Sequence, residues 1–231
     1  MPNFVKGTKD PVLVPDKGAG KWKSEDKTAD MIALKLLILK HLPHASVFVG
    51  PNASKHMLHY LLNSGEDYDI DLEAMVKNVS SAKVLFEREL AGAVNYISKQ
   101  PKGKYTFTSA NAVNGYNLKS QSRDWFFAIG GYSVWSKGEA IIDVDRTGKK
   151  AYYMEWEYKF FDRYNWDNGK AVKIFNIEIT DKFMGTFHRQ GLAKEFNCLG
   201  SIKLTKAWGE TKILDAKFVK KAQDSQKSWN R

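Results

Sequence analysis

The sequence predicts an α+β fold in which an N-terminal helical part is followed by a twisted antiparallel sheet or partial β-barrel with a C-terminal helix. The first observation is that apolar residues recur at helical spacing up to about residue 103. The second is that apolar and polar residues alternate from residue 104 onward, as in half-buried strands. The third is the composition: 231 residues, 43% hydrophobic and 27% charged, suit a globular domain.

Three helices are predicted in the first part of the chain. The first begins at Thr28, is apolar nearly all round and is therefore expected to be buried, and Pro43 is expected to end it. The second runs to Leu62, with Gly65 beyond its end. The third opens near Ser80 and carries one apolar face.

The second part reads as strands joined by turns. Residues 152–160 have aromatic or apolar side chains on one face and mostly charged ones on the other, and they form the clearest predicted strand of the chain. Residues 161–170 break the alternation and are predicted to form a loop. A helix is predicted from Thr180 or Asp181 through Phe196. The predicted strands are residues 104–108, 125–129, 134–144, 152–160, 171–179 and 201–208.

Domain organisation follows from these changes of pattern. Residues 1–27 are rich in Lys, Gly, Pro and Asp and are predicted to be a flexible N-terminal arm. Residues 28–216 are predicted to form a single α+β domain, helical over 28–103 and sheet-rich over 104–216. Residues 217–231 are predicted to be a basic C-terminal tail.

Charge and cysteine content exclude some classes of protein. The 36 Lys and Arg exceed the 26 Asp and Glu by ten, which suits an anionic membrane surface or nucleic acid. However, residues 201–231 carry half of this excess, and EDYDIDLE at 66–73 holds five carboxylates, so no basic stripe for nucleic acid is evident. Cys198 is the single cysteine, which excludes an internal disulfide framework. No apolar run reaches the ~20 residues of a membrane span, and we expect no signal peptide.

Several motifs for catalysis or metal binding are absent or weak. There is no GxSxG, P-loop or GxGxxG pattern. His56 and His59 have the spacing of two metal ligands on a helix, but no third ligand follows at a suitable distance in the sequence. Glu155 and Glu157 share a strand face, as a glycosidase pair could, although a solvated strand face explains them better.

The densest group of chemically capable side chains follows the aromatic strand. DRYNWD places Asp162, Tyr164, Asn165 and Asp167 within six positions, and His188 and Arg189 follow as an adjacent pair. Phosphoryl transfer or phosphate-ester hydrolysis needs a carboxylate for a cation or a water, an imidazole for acid–base work and a guanidinium for the phosphate charge. These residues supply all three types, provided that they meet in space.

At these residues the sequence resembles the colicin M family, bacteriocins that hydrolyse the peptidoglycan precursor lipid II. That family has an Asp-x-Tyr-Asp-Phe run at a strand end and a His-Arg pair, which DRYNW and His188-Arg189 resemble. Weaker similarity lies in HYLLNSGEDYDIDL and AIGGYSVWSKGEAII, so that the resemblance spans residues 55–200. Asn165 replaces the second Asp of the family pattern, and Asp167 is a candidate substitute.

The resemblance implies an antibacterial hydrolase that cleaves the undecaprenyl–pyrophosphate linkage of lipid II. By this resemblance Asp162 and Asp167 would hold a divalent cation, expected to be Mg²⁺. His188 would be the general acid and base, Arg189 would bind the pyrophosphate, and Tyr164 would be a positioning donor. The expected partners are lipid II, a cognate immunity protein, the bacterial membrane surface and a secretion machinery, with no nucleic acid. The toxin would be made in the cytoplasm, secreted, and active in the periplasm of target bacteria.

Two alternatives remain open on the sequence. One is a nuclease toxin that uses His188 and the same carboxylates on nucleic acid phosphates. The other is a non-catalytic module whose aromatic loops bind a glycan or a partner protein.

Overall fold

The protein is described by a computed structural model, which covers residues 2–166, 171–174 and 177–209. The predicted α+β class is confirmed, since helices pack against a mixed seven-stranded sheet that is not closed into a barrel. The helices are α1 (Ala29–Val49), α2 (Pro51–Leu62), α3 (Leu72–Asn78), α4 (Ser80–Ser98), α5 (Arg123–Ala128) and α6 (Asp181–Arg189). The strands are β1 (Phe4–Lys6), β2 (Tyr68–Asp69), β3 (Gly103–Ser109), β4 (Val113–Tyr116), β5 (Gly131–Val144), β6 (Lys150–Tyr164), β7 (Ala171–Ile174), β8 (Ile177–Thr180) and β9 (Phe196–Gly209).

The main sheet has the order β1-β3-β5-β6-β9-β2, and β4 pairs with one end of β5. All of its neighbours are antiparallel except β2, which lies parallel to β9 at the edge. The strands β7 and β8 form a separate hairpin that leads into α6. α6 is the C-terminal helix that the sequence predicts, and β9 follows it as the predicted final strand, although β9 begins earlier than predicted, at Phe196.

The central strand β6 confirms the aromatic pattern of the sequence. Its even-numbered residues from Tyr152 to Phe160 are buried and pack in the hydrophobic core. For example, Trp156 and Tyr158 both contact Phe86 of α4 edge-on, at ring-centroid distances of 5.3 and 5.2 Å. Burial of such large side chains is the main source of folding free energy, so this face orients the helices on the sheet.

The first helix differs from its prediction in two ways. It runs through Pro43 to Val49, because a proline inside a helix removes only one backbone hydrogen bond. At its N-terminus Thr28 is the cap, since its hydroxyl accepts a hydrogen bond from the Met31 N–H. It is also a surface helix, because only one flank, which includes Leu42, packs inward. No helix of the described residues is long and apolar enough to cross a bilayer.

Residues 125–129 form most of a short helix and not the predicted strand. Ser122 caps this helix by accepting a hydrogen bond from the Trp125 N–H at 3.3 Å. Its Asp124 carboxylate in turn accepts from the Ala53 N–H at 2.9 Å, so it caps the N-terminus of α2. This cap comes from 71 residues away in the chain, which local propensity does not reveal.

The β6 strand and the last helix also have different limits from those predicted. β6 continues to Tyr164, because β9 pairs with it along its whole length, so that the predicted loop starts only at Asn165. α6 ends at Arg189 and not at Phe196, since Gly191 has φ +65 and the Leu192 N–H turns back to the Phe187 carbonyl. The boundaries at residues 28 and 217 stay predictions, and residues 217–231 lie outside the described residues.

Candidate functional site

The end of β6 carries the first half of the predicted site. Asp162 lies opposite Cys198 of β9, and Tyr164 lies opposite Phe196. Strand alternation places Asp162 on the same face as buried Phe160. Asp162 is itself half-buried, and its charge adds to the burial that raises the pKa of the Cys198 thiol.

Tyr164 is held in an aromatic cluster rather than presented to solvent. Its ring stacks on Phe196 at 4.9 Å and meets Trp166 edge-on at 5.6 Å. His56 and Tyr60 of α2 lie 5.7 and 6.0 Å from it. The side chain is 7% exposed, so it positions the turn that follows β6 more readily than it reaches a ligand.

His188 lies near the end of α6, and both of its ring nitrogens are engaged. Nδ1 accepts a hydrogen bond from the Glu195 N–H at 3.1 Å, and Nε2 lies 3.1 Å from the Gly20 carbonyl oxygen. A carbonyl only accepts, so Nε2 carries the proton and the ring is a neutral imidazole. Burial lowers the pKa of His188, with the nearby Glu195 carboxylate opposing the shift. The side chain is therefore uncharged at neutral pH.

Glu195 is a central residue of the site that sequence reasoning did not identify. It is 3% exposed, and its Oε1 accepts from the Ala19 N–H at 2.8 Å and from the Trp166 N–H at 3.1 Å. Its Oε2 pairs with Arg163 at 3.4 Å and lies 3.9 Å from Nε2 of His188. The available signal was an acidic residue inside the apolar segment LAKEF, where a carboxylate needs partners to be buried.

The Glu195 carboxylate joins the two halves of the predicted site. Arg163 belongs to β6 and His188 to α6, so Glu195 brings the strand end and the helix close together, while the predicted meeting of Asp162 with His188 and Arg189 stays a prediction. Tyr60 adds a second link, since its hydroxyl donates to the Met184 carbonyl of α6 at 2.8 Å. Arg163 points away from Asp162 because adjacent strand residues face opposite ways, so the contact with His188 runs through Arg163 and not through Asp162.

A segment of residues 18–25, here called the strap, covers His188 and Arg189. The Glu25 N–H donates to the Arg189 carbonyl at 3.0 Å. The Trp22 indole N–H lies within hydrogen-bond distance of Asn63 Oδ1 and of the Ala193 carbonyl. The predicted arm therefore lies against the domain in the structure, and it leaves His188 only 3% exposed.

Arg189 is bound into the same contact. Its Nε pairs with the Glu25 carboxylate, Nη2 donates to Thr186 Oγ1 at 2.9 Å, and Nη1 donates to the Ala19 carbonyl at 3.3 Å. A guanidinium with these partners holds the strap in place. It becomes free for an anionic ligand only when the strap leaves.

The remaining predicted residues are described only in part. Asn165 is half-buried, and its Nδ2 has no hydrogen-bond partner among the described residues. Asp167 lies outside the described residues, so the predicted metal pair of Asp162 and Asp167 stays a prediction. Within residues 2–166, 171–174 and 177–209, no three His, Cys, Asp or Glu side chains group closely enough to hold a metal. Glu195 is no substitute ligand, because N–H donors and Arg163 already surround it.

Comparison with known proteins gives structural neighbours alone. No protein-family model and no curated protein matches the chain. The chain is similar to PaeM, a colicin M-like bacteriocin produced by Pseudomonas aeruginosa, with 13% identity over 69% of this chain and 52% of that chain and a TM-score of 0.37. It is also similar to the bacteriocin syringacin M from Pseudomonas syringae pv. tomato, with 16% identity over 68% of this chain and 52% of that chain and a TM-score of 0.36.

A further neighbour is pectocin M2, with 10% identity over 80% of this chain and 64% of that chain and a TM-score of 0.29. The chain thus spans little more than half the length of PaeM and syringacin M. At TM-scores this low the likeness carries no argument about activity. The proposed function therefore depends on the residues of the site.

Proposed function

We propose that the chain is an antibacterial toxin of the colicin M kind, which hydrolyses the undecaprenyl–pyrophosphate linkage of lipid II. The observation that carries this proposal is the Arg163–Glu195–His188 contact, which brings the end of β6 beside α6. Acidic, aromatic, imidazole and guanidinium groups then lie around one end of the sheet. This is the set of side chains that hydrolysis of a phosphate ester requires.

The proposed step is attack of water on the phosphorus atom that bears the lipid oxygen. The bond between that phosphorus and the undecaprenyl oxygen breaks, water loses a proton, and the lipid oxygen gains one to leave as undecaprenol. His188 is the proposed group for this proton exchange, because an imidazole takes up and gives a proton near neutral pH, and its ring becomes available once its contacts with the Glu195 N–H and the Gly20 carbonyl have opened. Asp162 would orient the water, and Arg189 would neutralise charge on the pyrophosphate.

Other members of the predicted site take supporting parts in this proposal. Tyr164 would fix the turn after β6 through its stack with Phe196, so that it acts as a positioning residue. Asn165 and Asp167 would complete the polar side of the site. Mg²⁺ remains the proposed cofactor, since carboxylate and amide oxygens are its usual ligands, although no three candidate ligands of the described residues group closely enough to hold it.

The strap has to leave before His188 and Arg189 can meet a substrate. Both groups bind strap atoms, through the Gly20 carbonyl and the Glu25 carboxylate respectively. We therefore propose that the active form has the strap displaced. Secretion, action in the periplasm of a target cell and a cognate immunity protein follow from the toxin proposal.

The decisive experiment is incubation with purified lipid II and measurement of the released pyrophosphoryl sugar-peptide. We expect release by the full chain with Mg²⁺, inhibition by EDTA, and at least a roughly hundredfold loss in His188→Asn. The matched control is His44→Asn, since His44 is an exposed histidine on α1. Absence of release with Mg²⁺, together with cleavage of RNA or plasmid DNA, would replace this proposal with the nuclease.

The non-catalytic module is the second candidate, because both ring nitrogens of His188 are satisfied within the protein. In that case His188 and Arg189 only hold the strap, and aromatic side chains near Trp166 bind a glycan or partner. That candidate predicts that Asp162→Ala and His188→Ala keep the toxic effect on target cells while Trp166→Ala weakens it. The hydrolase predicts instead that Asp162→Ala and His188→Ala lose the toxic effect. Thermal unfolding of each variant identifies those that lose function by losing the fold.

A further inference from the structure

The strap presents oxygen atoms to the two predicted site residues of α6. The Gly20 carbonyl oxygen accepts from His188 Nε2 at 3.1 Å, and the Ala19 carbonyl oxygen accepts from Arg189 Nη1 at 3.3 Å. A carboxylate oxygen of Glu25 pairs with Arg189 Nε. Strap oxygens thus satisfy donors of one imidazole and one guanidinium. When the strap leaves, these donors need oxygen acceptors from another source.

Two further N–H donors beside this contact have no acceptor among the described residues. They are Arg163 Nε and Asn165 Nδ2, and both atoms are buried. Arg163 Nη2 meets Oε2 of Glu195 at 3.4 Å. The Trp166 N–H, on the peptide unit that follows Asn165, donates to Oε1 of the same carboxylate at 3.1 Å. Both residues therefore adjoin the carboxylate that lies 3.9 Å from His188. A buried N–H without an acceptor costs free energy, so this pair indicates a place for a ligand oxygen.

Gly185 of α6 provides the space in which the strap sits against these residues. A Cβ atom at this position would lie 2.9 Å from the Ala19 Cβ, 3.2 Å from Arg189 Nη1 and 3.3 Å from the Trp166 carbonyl oxygen. The strap, the α6 guanidinium and the turn after β6 therefore meet at one point. When the strap lifts, the Ala19 side chain leaves a space there that is bordered by the guanidinium and by the turn.

Lifting the strap also leaves positive charge at this space. Glu25 is the carboxylate that pairs with Arg189 among the described residues, so Arg189 loses this counter-charge with the strap. The strap lysines, Lys21 and Lys23, are exposed, so their departure removes little charge from the space itself. Asp162 lies on the opposite face of β6 from Arg163, because adjacent strand residues face opposite ways. The remaining guanidinium charge attracts an anion that presents oxygen atoms.

We propose that the surface beneath the strap binds a diphosphate group, with Arg163 Nε and Asn165 Nδ2 as donors in addition to Arg189. Oxygens on two linked phosphorus atoms would reach donors on both sides of the space over Gly185, whereas a single phosphate would reach fewer of them. In the resting protein the strap is then a competitor that fills the site with its own oxygens. Asn165 is a donor to the ligand in this site, and the Asp that the colicin M pattern has at this position would repel the anion.

The identity of the diphosphate as that of lipid II rests on the proposed function, whereas the site itself is defined by residues of this chain. Competitive inhibition of lipid II hydrolysis by inorganic pyrophosphate assigns the site to the diphosphate of the substrate. Binding of pyrophosphate without inhibition assigns it to free pyrophosphate.

The test is calorimetric titration of the full chain with inorganic pyrophosphate in the presence of EDTA, so that no metal ion contributes. We expect pyrophosphate to bind more tightly than orthophosphate at equal ionic strength. Asn165→Asp should bind pyrophosphate at least about tenfold more weakly, because a carboxylate of nearly the same shape replaces the N–H donor. Arg163→Lys keeps the charge beside Glu195 but removes Nε, and a loss of about three- to tenfold is expected.

The controls make the same chemical changes at exposed positions of α4. Asn95→Asp and Arg88→Lys should bind pyrophosphate like the natural chain. Thermal unfolding shows which variants keep the fold, and the comparison uses those. Binding by folded Asn165→Asp that equals or exceeds that of the natural chain overturns the proposal, as does equal affinity of the natural chain for orthophosphate and pyrophosphate.

Competition by the strap is tested separately with Glu25→Gln. This variant weakens the hold of the strap on Arg189, so pyrophosphate should bind about three- to tenfold more tightly. Asp26→Asn makes the same change of net charge at an exposed neighbouring position and should leave the affinity unchanged. Equal affinities of these two variants would show that the strap does not occupy the site.

Failure of this inference and failure of the proposed function give different results. The titrations contain no lipid II, so a protein that lacks the hydrolase activity still binds pyrophosphate if the site is correct. Hydrolysis of lipid II by a chain that does not bind pyrophosphate would keep the proposed function and remove the site.

Discussion

Two buried carboxylates of this domain, Glu195 and Glu89, differ in the groups that bind them. Glu195, at the candidate site, has Arg163 and two backbone N–H donors around it. Glu89 of α4 is 1% exposed and meets only hydroxyls, since Ser109 and Ser136 donate to its Oε2 while Oε1 has no partner among the described residues. Burial raises the pKa of Glu89, and the two serine hydrogen bonds oppose that shift.

The different partners indicate that the Glu195 and Glu89 carboxylates contribute differently to stability. Glu195, which accepts from two backbone N–H groups and pairs with a guanidinium, holds the strap, the β6 end and α6 together. A carboxylate among hydroxyls is favoured in its protonated form and serves packing. The same substitution, Glu to Gln, is therefore expected to change the free energy of unfolding in opposite directions at the two positions.

The largest effect is expected from Glu195→Gln. Its amide nitrogen would face Arg163 in place of Oε2 and leave that guanidinium without a counter-charge. We expect a loss of about 2–3 kcal/mol in the free energy of unfolding, below the full value for a buried pair because Arg163 is about one-third exposed. Urea denaturation measures the change, and Glu87→Gln on the exposed side of α4 is the control. A change of less than about 0.5 kcal/mol would show that Glu195 does not hold the site together.

A smaller effect is expected from Gly18→Ala in the strap. Gly18 has φ +69, and an added Cβ would lie 2.2 Å from Oε2 of Glu195. Gly7→Ala is a matched control, because Gly7 also has a positive φ, +112, but open space around its Cβ position. We expect both variants to lose about 1 kcal/mol through backbone strain, and only Gly18→Ala to release the strap.

Release of the strap is measured by limited proteolysis near residues 18–25. If the strap blocks His188 in the resting protein, Gly18→Ala should also hydrolyse lipid II faster than Gly7→Ala does. Equal proteolysis of the two variants would contradict the contact between the strap and Glu195.

The smallest effect, with the opposite sign, is expected from Glu89→Gln. Folding raises the pKa of Glu89 above the ordinary carboxyl value. Between these two pKa values the native protein binds more protons than the unfolded chain, so the free energy of unfolding falls as pH rises from the ordinary carboxyl pKa to the folded pKa. Gln avoids this loss, and we expect Glu89→Gln to be more stable at pH 7 by about 0.5 kcal/mol. The advantage should vanish below pH ~4, where both forms are neutral. Thermal unfolding at several pH values measures this, and a variant less stable at neutral pH would overturn the comparison.

Much of the secondary structure was predictable from local pattern. The aromatic alternation of β6, the turn Asp145–Gly148 and the apolar face of α4 are periodic or chemical signals that each segment carries within itself. The strand predicted at residues 125–129 was wrong, because a cap from Ser122 and burial of Trp125 favour a helix there. The exposed position of α1 was also missed, since a helix that is apolar all round does not reveal which flank packs.

The candidate site also has features that were predictable from the sequence and features that were not. The sequence alone determined that carboxylate, imidazole and guanidinium groups stand at a strand end and a helix end, because those residue types and their spacing are local properties. Only the tertiary structure decided that Glu195 joins them and that the strap covers them, since Ala19 and Glu195 meet across 176 residues of chain. Contacts of that range depend on how the whole sheet and its helices pack, and no periodicity within a segment encodes them.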